Sequence, residues 1–406
     1  MTGAGPTSAG SVPAGSVPAG SVAAGSDPAG TDPAHPVPHS MVVIGTGLIG
    51  TSVALALRAR GVAVWLADQD EDALRLAVSL GAGQPLPPGG VPGGPAELAV
   101  LAVPPAAVAV ELHAAQERRL ARCFTDVASV KELPLAAARE LGCDLASYVP
   151  GHPLSGRERS GPAAARADLF TGRPWVVCPQ PANAEADVQL VTGLAAACGA
   201  VPVAVPADEH DRWVALVSHA PHAVAAAMAA RLEDAPAPAL ALAGQGLRDV
   251  TRIAASGTGM WLQILTANAG PASAVLRLVA ADLVQAADAL DSLVAGEEAA
   301  AKQVADLLAR GSAGVSRIPG KHGGPTSVFS PVQVVIPDRP GELARLLAAA
   351  GEAGVNVEDI SIEHSPGLPV GVAELWVRPE AARSLASALA AAGWPVAGPG
   401  AGNIAS

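Results

Sequence analysis

The feature that most constrains the fold is a glycine-rich turn between an apolar run and an amphipathic segment near residue 45. Met41 to Ile44 reads MVVI, and residues 45–50 read GTGLIG, which fits the pattern G-x-G-x-x-G. The apolar run predicts a buried strand, and residues 51–60 predict a helix. Because a turn of this kind directs backbone N–H groups at phosphates, the pattern favours a βα unit that binds a dinucleotide.

Each glycine of this turn has a mechanical reason. Gly45 allows the tight turn, Gly47 lets the backbone approach a pyrophosphate, and Gly50 lets the helix pack closely on the strand. A second strand over 63–67 ends at Asp68, a carboxylate placed to bind ribose hydroxyls and to repel a 2′-phosphate. No Arg follows within the next three residues, so we expect NAD rather than NADP. The predicted cofactor-binding residues are Gly45, Gly47, Leu48, Ile49, Gly50 and Asp68.

Alternation of strand and helix continues to about residue 205. We predict strands over 97–103, 122–127, 174–178 and 201–205, with a helix at 182–198 before the last. Ligands of such sheets bind beyond the carboxyl ends of the strands, which places Ser129 and Lys131 at the cofactor edge. Ser129 could instead cap the next helix, and Lys131 could simply be solvated.

A histidine lies where the nucleotide-binding half ends. Residues 148–161 read YVPGHPLSGRERSG, and the Gly and Pro that flank His152 predict a loop rather than a regular element. A histidine at such a junction can reach a ligand held between two domains.

Residues 206–315 are rich in Ala and Leu and are predicted to be helical. His219 and His222 are three apart, and Arg248 and Arg252 are four apart, so each pair shares a helix face. Two guanidiniums favour a dicarboxylate substrate, and a histidine is suited to accept a proton near neutral pH. The alternatives are a packed, hydrogen-bonded histidine and an arginine paired with a nearby acid. A metal site is disfavoured because no nearby carboxylate completes it.

Composition excludes several function classes. The net charge is -12 and the pI about 5.2, which disfavours nucleic-acid and anionic-membrane partners. No uninterrupted apolar run reaches the ~18 residues of a membrane span.

The four cysteines lack CxxC spacing, which predicts reduced thiols in a cytoplasmic protein. Residues 1–40 repeat an AGSVP-like motif and are predicted to be a disordered tail.

The motifs together resemble a known family. VVIGTGLIGTSVALAL, ASVK, GHPLSGRERSG, SHAPHAVA and GLRDVTRIA occur between residues 41 and 311 in the order found in the prephenate/arogenate dehydrogenases of tyrosine biosynthesis. The resemblance implies a Rossmann-type α/β domain at 41–205 and an all-helical substrate and dimerisation domain at 206–315. It implies NAD-dependent oxidative decarboxylation of prephenate to 4-hydroxyphenylpyruvate.

The resemblance also implies roles for the candidate residues. His152 would take the proton of the ring hydroxyl, and Ser129 would lie beside it and orient it. Arg252 would bind a substrate carboxylate, while Arg248, His219 and His222 would line the substrate site.

The sequence departs from the family pattern after the GHPLSG segment. Many members have a Thr where this chain has Arg157, and Glu158 follows. Arg157 could meet the carboxylate of a keto acid, whereas Glu158 could pair with the amino group of arogenate. Arogenate dehydrogenase activity therefore remains an alternative. A further alternative is a non-catalytic sensor that binds NAD and an aromatic amino acid. It is disfavoured because a sensor would not need both a general base and an arginine that binds an anion.

A Gly/Pro-rich linker at 316–330 precedes a small α+β module at 331–400. Its predicted order is βαββα, and DRPGEL at 338–343 with GVNVEDI at 354–360 resembles an ACT domain. The resemblance implies an amino-acid effector site, with tyrosine as the effector, at the DRPG turn. A purely structural dimerisation module is the alternative, and a homodimer is expected in either case.

Overall fold

The structure is a computed structural model that describes residues 35–155, 160–318, 329–364 and 369–396. The chain divides into two compact units, residues 1–206 and 207–406. Most of the predicted tail and most of the linker predicted at 316–330 lie outside the described residues.

A parallel five-stranded sheet forms the centre of the first unit, and its order is β3-β2-β1-β4-β5. Its first strand is buried along nearly its whole length, as expected when helices cover both faces of a parallel sheet. Each predicted strand of this sheet is confirmed to within two residues. The strands are β1 Ser40–Ile44, β2 Ala63–Ala67, β3 Gln84–Pro85, β4 Ala96–Leu101 and β5 Ala121–Asp126.

Five α-helices accompany these strands within the described part of the unit. They are α1 Leu48–Arg58, α2 Glu71–Ser79, α3 Val108–Glu117, α4 Glu132–Glu140 and α5 Glu185–Ala197. The first begins three residues earlier than predicted, because Gly47 is its N-cap and the glycine-rich turn already belongs to its first turn. The second is capped by Asp70, whose carboxylate accepts from Asp72 N and Ala73 N.

A second, three-stranded sheet completes the first unit. Its strands are β6 Gly151–Pro153, β7 Pro174–Val177 and β8 Val201–Ala204. The loop predicted around His152 is therefore wrong at its centre, because β6 pairs antiparallel with β7 and places His152 opposite Val176. Pro153 is compatible with a strand here because β6 lies at the edge of this sheet, where an N–H is dispensable.

The last residues of the predicted tail are packed on α5. A Cβ atom at Gly193 would lie 1.9 Å from Pro36 O, so the chain at residue 36 touches the helix backbone. His35 Nδ1 lies 2.7 Å from Gln189 Oε1 on the same helix. The tail prediction thus extended about six residues too far, into a segment that leads directly to β1.

The second unit begins with a helical array, as predicted. Its helices are α6 Ala207–Val214, α7 Ala220–Ala230, α8 Ala237–Leu240, α9 Gln245–Thr251, α10 Thr258–Ala267, α11 Ala269–Val294 and α12 Ala301–Ser316. A π-helical turn, Ala215–His219, joins α6 to α7 in one unbroken helical run, and Pro221, which has no N–H to donate, follows directly after that turn.

The run from Ala207 to Ala230 has the length and hydropathy of a membrane span. It also carries His210, Asp211, His219 and His222, all buried among residues of this unit. Three of these residues have polar partners in the same unit: His210 Nδ1 lies 2.7 Å from Asp211 Oδ1, and Asn268 Nδ2 lies within 3.0 Å of both Asp211 O and His219 Nδ1, so they are packed within the helical array.

The small module after the linker has the βαββα order that the sequence predicts. Its elements are β9 Ser330–Pro337, α13 Glu342–Glu352, β10 Asp359–His364, β11 Val370–Val377 and α14 Pro379–Ala391. The antiparallel sheet has the order β10-β11-β9, and an antiparallel bridge from Val334 to Val396 adds a further strand position beside β9. This is the strand order of a ferredoxin-like split βαβ motif. Of the GVNVEDI segment at 354–360, only Asp359 and Ile360 belong to β10.

Candidate active site

The glycine-rich turn leaves room for a ligand at one position and none at the other two. Gly45 has a φ of +98°, and a Cβ there would lie 2.3 Å from Ala102 O. A Cβ at Gly50 would lie 2.0 Å from Gly45 O, inside the contact of α1 with the sheet. At Gly47, by contrast, a Cβ would meet nothing within 4 Å. This open backbone at the N-terminus of α1 is the geometry that a pyrophosphate requires.

Asp68 follows β2 and is tied to the same turn. Its Oδ2 accepts hydrogen bonds from Thr46 N at 2.5 Å and from Thr46 Oγ1 at 2.8 Å. Its Oδ1 accepts from Asp70 N at 2.9 Å. The carboxylate therefore holds the glycine-rich turn against the end of β2, an interaction that the sequence did not predict. Ribose binding by Asp68 stays a prediction, and its half-buried carboxylate keeps acceptor capacity for it.

A buried ion pair lies at the carboxyl end of β5. Asp126 and Lys131 are both fully buried, and Lys131 Nζ donates to Asp126 Oδ1. Tyr148 OH donates to Asp126 Oδ2 at 2.5 Å. A solvated Lys131, one of the two possibilities that the sequence left open, is therefore wrong. The pKa of the Tyr148 hydroxyl is raised well above its ordinary value, by burial first and by the Asp126 charge second.

His152 is joined to this pair through its neighbour. Lys131 Nζ also donates to Gly151 O at 2.5 Å, and His152 itself is half-buried on β6. Ser129 is half-buried on the turn before α4, and the N-cap residue of that helix is Lys131, whose side chain makes no capping bond to the helix. The alternative of Ser129 as a helix cap is thus wrong, and its expected role beside His152 stays a prediction.

The two predicted histidines of the second unit lie around a tryptophan. The His222 ring stacks on Trp261 with centroids 3.6 Å apart and planes 6° apart, while His219 meets the same indole edge-on at 6.3 Å. Within the described residues, His222 Nδ1 and Trp261 Nε1 are buried without a hydrogen-bond partner. The sequence analysis assigned no role to Trp261, because no local pattern relates it to the two histidines, so this stack was not predicted.

His219 is held as a neutral imidazole. Asn268 Nδ2 lies 3.0 Å from His219 Nδ1 and 2.8 Å from Asp211 O, so the amide donates to both. Burial lowers the pKa of His219 to about 4, although the Asp211 charge opposes the shift. With Nδ1 as acceptor, the proton of the neutral ring is on Nε2, which makes that nitrogen a donor.

The two predicted arginines follow one another around a helix end. Arg248 lies in α9, and Arg252 begins a 3-10 turn, Arg252–Ala255, that packs against α7. Both are exposed, and neither forms an ion pair within the described residues. Asp249 accepts from Gln245 Nε2 at 2.7 Å, so it is Gln245, and not Arg248, that this acid engages.

The candidate residues thus form two groups. Ser129 and His152 belong to the first unit, and His219, His222, Arg248 and Arg252 belong to the second. Arg157 and Glu158 lie outside the described residues. Across the described ranges, no three His, Cys, Asp or Glu side chains cluster as metal ligands would.

The first unit, with its glycine-rich turn and Asp68, defines a nucleotide-binding protein of the Rossmann type. Residues 53–204 match the family model described as prephenate dehydrogenase, nucleotide-binding domain, and residues 206–304 match the one described as prephenate dehydrogenase, dimerization domain. The chain belongs to the prephenate dehydrogenase family.

Relatives cover most of the chain. It is 40% identical to a probable prephenate dehydrogenase, NovF, of Streptomyces niveus over 87% of this chain and 98% of the relative. It is 27% identical to prephenate dehydrogenase of Bacillus subtilis over 80% and 88% of the two chains. Among solved structures, prephenate dehydrogenase of Aquifex aeolicus in complex with hydroxyphenyl propionate and NAD+ covers 68% of this chain, with 24% identity and a TM-score of 0.59. At that identity the likeness concerns the fold.

Proposed function

We propose that this protein is an NAD-dependent prephenate dehydrogenase that converts prephenate to 4-hydroxyphenylpyruvate and CO2 in tyrosine biosynthesis. The observation that carries the proposal is the 40% identity to the Streptomyces relative over nearly its whole length. The glycine-rich turn, which keeps one open backbone position at a helix N-terminus, supports the nucleotide part independently.

The residues that would hold NAD are those of the turn and Asp68. The N–H groups at the start of α1 suit the pyrophosphate, and Asp68 suits the ribose hydroxyls. NAD, when bound, supplies the hydride acceptor of the reaction. Asp68 also fixes the turn through Thr46, so its carboxylate has a structural as well as a recognition role.

His152 is the general base of the proposed reaction. It takes the proton of the ring hydroxyl as the ring carbon is oxidised, and loss of the carboxylate as CO2 makes the ring aromatic. A half-buried histidine on a strand edge can be reached by substrate while its backbone stays fixed by β7. Ser129 would orient its ring from the turn that follows β5.

Arg252 and Arg248 are the proposed anion clamp. Both are exposed cations without an acid partner among the described residues, so a dicarboxylate would meet no competing internal pair. Neutral His219 would donate from Nε2 to a substrate oxygen. The stacked His222 and Trp261 keep two buried nitrogens unpaired in the described structure, which suits contact with a polar ligand group.

The test is NADH formation by purified protein with prephenate and then with arogenate. A 30% identical relative from Zymomonas mobilis named cyclohexadienyl dehydrogenase makes arogenate the second candidate substrate. We expect prephenate to be preferred, with Arg157→Ala lowering kcat/KM for prephenate and Glu158→Gln leaving it within about twofold. A strong preference for arogenate that Glu158→Gln abolishes would replace the first substrate by the second.

We also propose a homodimer formed through the helical array. Along α11 only Ala272 and Ala289 are buried, while Leu278, Val284, Leu290 and Val294 are at least half exposed. An apolar surface of this extent needs a partner, and a second copy fits the dimerization domain that matches here. Light scattering after gel filtration should give twice the chain mass, and Val284→Asp should shift it toward the monomer. Asp288→Asn, on the same helix, is the control.

The third part of the proposal is that tyrosine binds the small module as an amino-acid effector. A cavity of about 150 Å³ opens at the turn after β9, and its lining includes Asp338, Arg339 and Glu342 with the apolar Ile336, Leu343 and Ile362. Acid and base beside apolar side chains suit a zwitterion with a hydrophobic side chain. Tyrosine should inhibit the enzyme, and Asp338→Asn should weaken that inhibition, whereas Glu352→Gln on α13 should not. Inhibition that is equal in all three proteins would remove the effector from this cavity.

The final part of the proposal is that the protein is located in the cytoplasm. Three of the four cysteines are buried, and all four are thiols that form no disulfide bond, which fits a reducing compartment. Fractionation of cells that produce the full chain should recover the dehydrogenase activity in the cytoplasmic fraction.

A further inference from the structure

A buried carboxylate at the end of β5 accepts hydrogen bonds from two segments, the turn before α4 and the segment around Tyr148. Asp126 accepts from Lys131 Nζ and Tyr148 OH, and its Oδ1 also accepts from Ala128 N at 2.8 Å. The carboxylate, the ammonium group and the phenol ring are all fully buried. A buried ion pair is weak as a source of stability, because desolvation of both charges offsets their attraction. Its retention in the interior therefore calls for another role.

The hydrogen bonds of Asp126, Lys131 and Tyr148 extend to the backbone next to His152. Lys131 Nζ donates at 2.5 Å to Gly151 O, the carbonyl that precedes the histidine. Tyr148, three residues before Gly151, is bridged to Phe124 of β5 and fixed at its hydroxyl by Asp126. The segment from 148 to 151 is thus held at both ends by one carboxylate and its lysine.

Gly151 fits closely into this arrangement. A Cβ there would lie 3.1 Å from each of Asp126 O, Thr125 Oγ1 and Trp175 Nε1, so the backbone at 151 lies against the end of β5. The same carboxylate also binds Ala128 N, at the start of the turn that carries Ser129. One buried group therefore fixes the two segments on which Ser129 and His152 lie.

We propose that Asp126, Lys131 and Tyr148 are positioning residues that set the placement of His152 through the Gly151 carbonyl. The inference rests on the proposed function, because it takes His152 as the base. A general base displaced by about an ångström loses much of its rate contribution while binding surfaces elsewhere are untouched. Loss of the network should therefore lower kcat far more than it changes the KM for prephenate or the Kd of NAD.

The test uses a double substitution, because Lys131→Met alone would leave Asp126 charged and buried without its cation. Asp126→Asn/Lys131→Met keeps similar volumes and removes both charges together. We expect kcat to fall at least tenfold, with KM and the NAD Kd within about threefold of the wild type. Tyr148→Phe, which deletes a single hydroxyl, should lower kcat by a smaller factor in the same direction. His113→Gln/Glu117→Gln, an exposed pair on α3, is the matched control and should not alter kcat.

A second readout does not depend on turnover. The His152 Cε1–H resonance, identified by its disappearance in His152→Asn among the nine histidines, should shift and titrate at a different pH in the double variant. A kcat and a His152 titration that both equal the wild type would overturn the proposal. If the double variant does not fold, Tyr148→Phe decides by the same readouts. If the wild type does not turn prephenate over, the proposed function fails, and the titration still decides the positioning role.

Discussion

Substitution by alanine should have different effects at two glycines of the glycine-rich turn: at Gly47 it should lower NAD affinity, and at Gly50 it should lower stability. At Gly47 the backbone angles are φ −69° and ψ −164°, which any residue can adopt, and a Cβ would meet nothing within 4 Å. Gly47→Ala should therefore change the free energy of unfolding by no more than about 0.5 kcal/mol. Its methyl group would stand where the pyrophosphate approaches, so we expect NAD affinity to fall at least tenfold, or about 1.4 kcal/mol.

At Gly50, by contrast, the same substitution should lower the free energy of unfolding. Alanine in a helix interior is favoured over glycine by roughly 0.5–1 kcal/mol, but a Cβ here would lie 2.0 Å from Gly45 O and 2.8 Å from Ala102 Cβ. Since the clash is with backbone, it cannot be relieved by a rotamer change, and overpacking of this kind costs about 1–3 kcal/mol. The clash exceeds the helix preference, so Gly50→Ala should unfold at lower temperature even without NAD.

Thermal unfolding with and without NAD separates the two effects. At 100 times its Kd, NAD should stabilise the wild type by about 2.7 kcal/mol, or roughly 5–10 °C for a unit of about 200 residues. Gly47→Ala should match the wild type without NAD and lose most of that increment with it. An unaltered increment in Gly47→Ala, or a Gly50→Ala protein as stable as the wild type, would refute the account of the turn.

Three further predictions follow from the site. His152→Asn should retain NAD binding and lose a factor on the order of 10²–10⁴ in kcat; near-full activity would remove the base from His152. Arg252→Ala should raise the KM for prephenate far more than the Kd of NAD, and an unchanged KM would take Arg252 out of the site. Folding lowers the pKa of His219 to about 4, so below pH 6.5 the unfolded chain binds more protons than the folded one. Protonation of His219 therefore favours the unfolded chain. The free energy of unfolding should be unaffected by His219 above pH 6.5 and should decline by up to about 3 kcal/mol toward pH 4. His219→Gln should flatten that part of the unfolding profile, and a profile identical to the wild type would contradict the burial argument.

The fold was largely predictable because its signals are local. Apolar runs such as 41–44 identify buried strands, and the glycine-rich turn identifies the βα junction, without reference to distant residues. The βαββα order of the small module was predictable for the same reason. The error at β6 comes from non-local pairing, because this segment is a strand only through β7, where Val176 lies opposite His152.

The site was predictable in its residue types and less so in its arrangement. Sequence spacing marked Lys131 as a cation near the cofactor edge, but its burial depends on Asp126, Tyr148 and Gly151, which converge only in the folded chain. The stack of His222 on Trp261 likewise joins two helices that no local pattern relates. Asn268, which fixes the tautomer of His219, carried no sequence signal at all.

The most direct test of the central claim is the absorbance of NADH at 340 nm when the purified full chain is given NAD and prephenate, with His152→Asn measured beside it. The account predicts steady NADH formation with release of one CO2 per NADH, and a loss of a factor on the order of 10²–10⁴ in the variant. Absence of turnover with prephenate and with arogenate, in a protein that still binds NAD, would contradict it and favour a non-catalytic sensor.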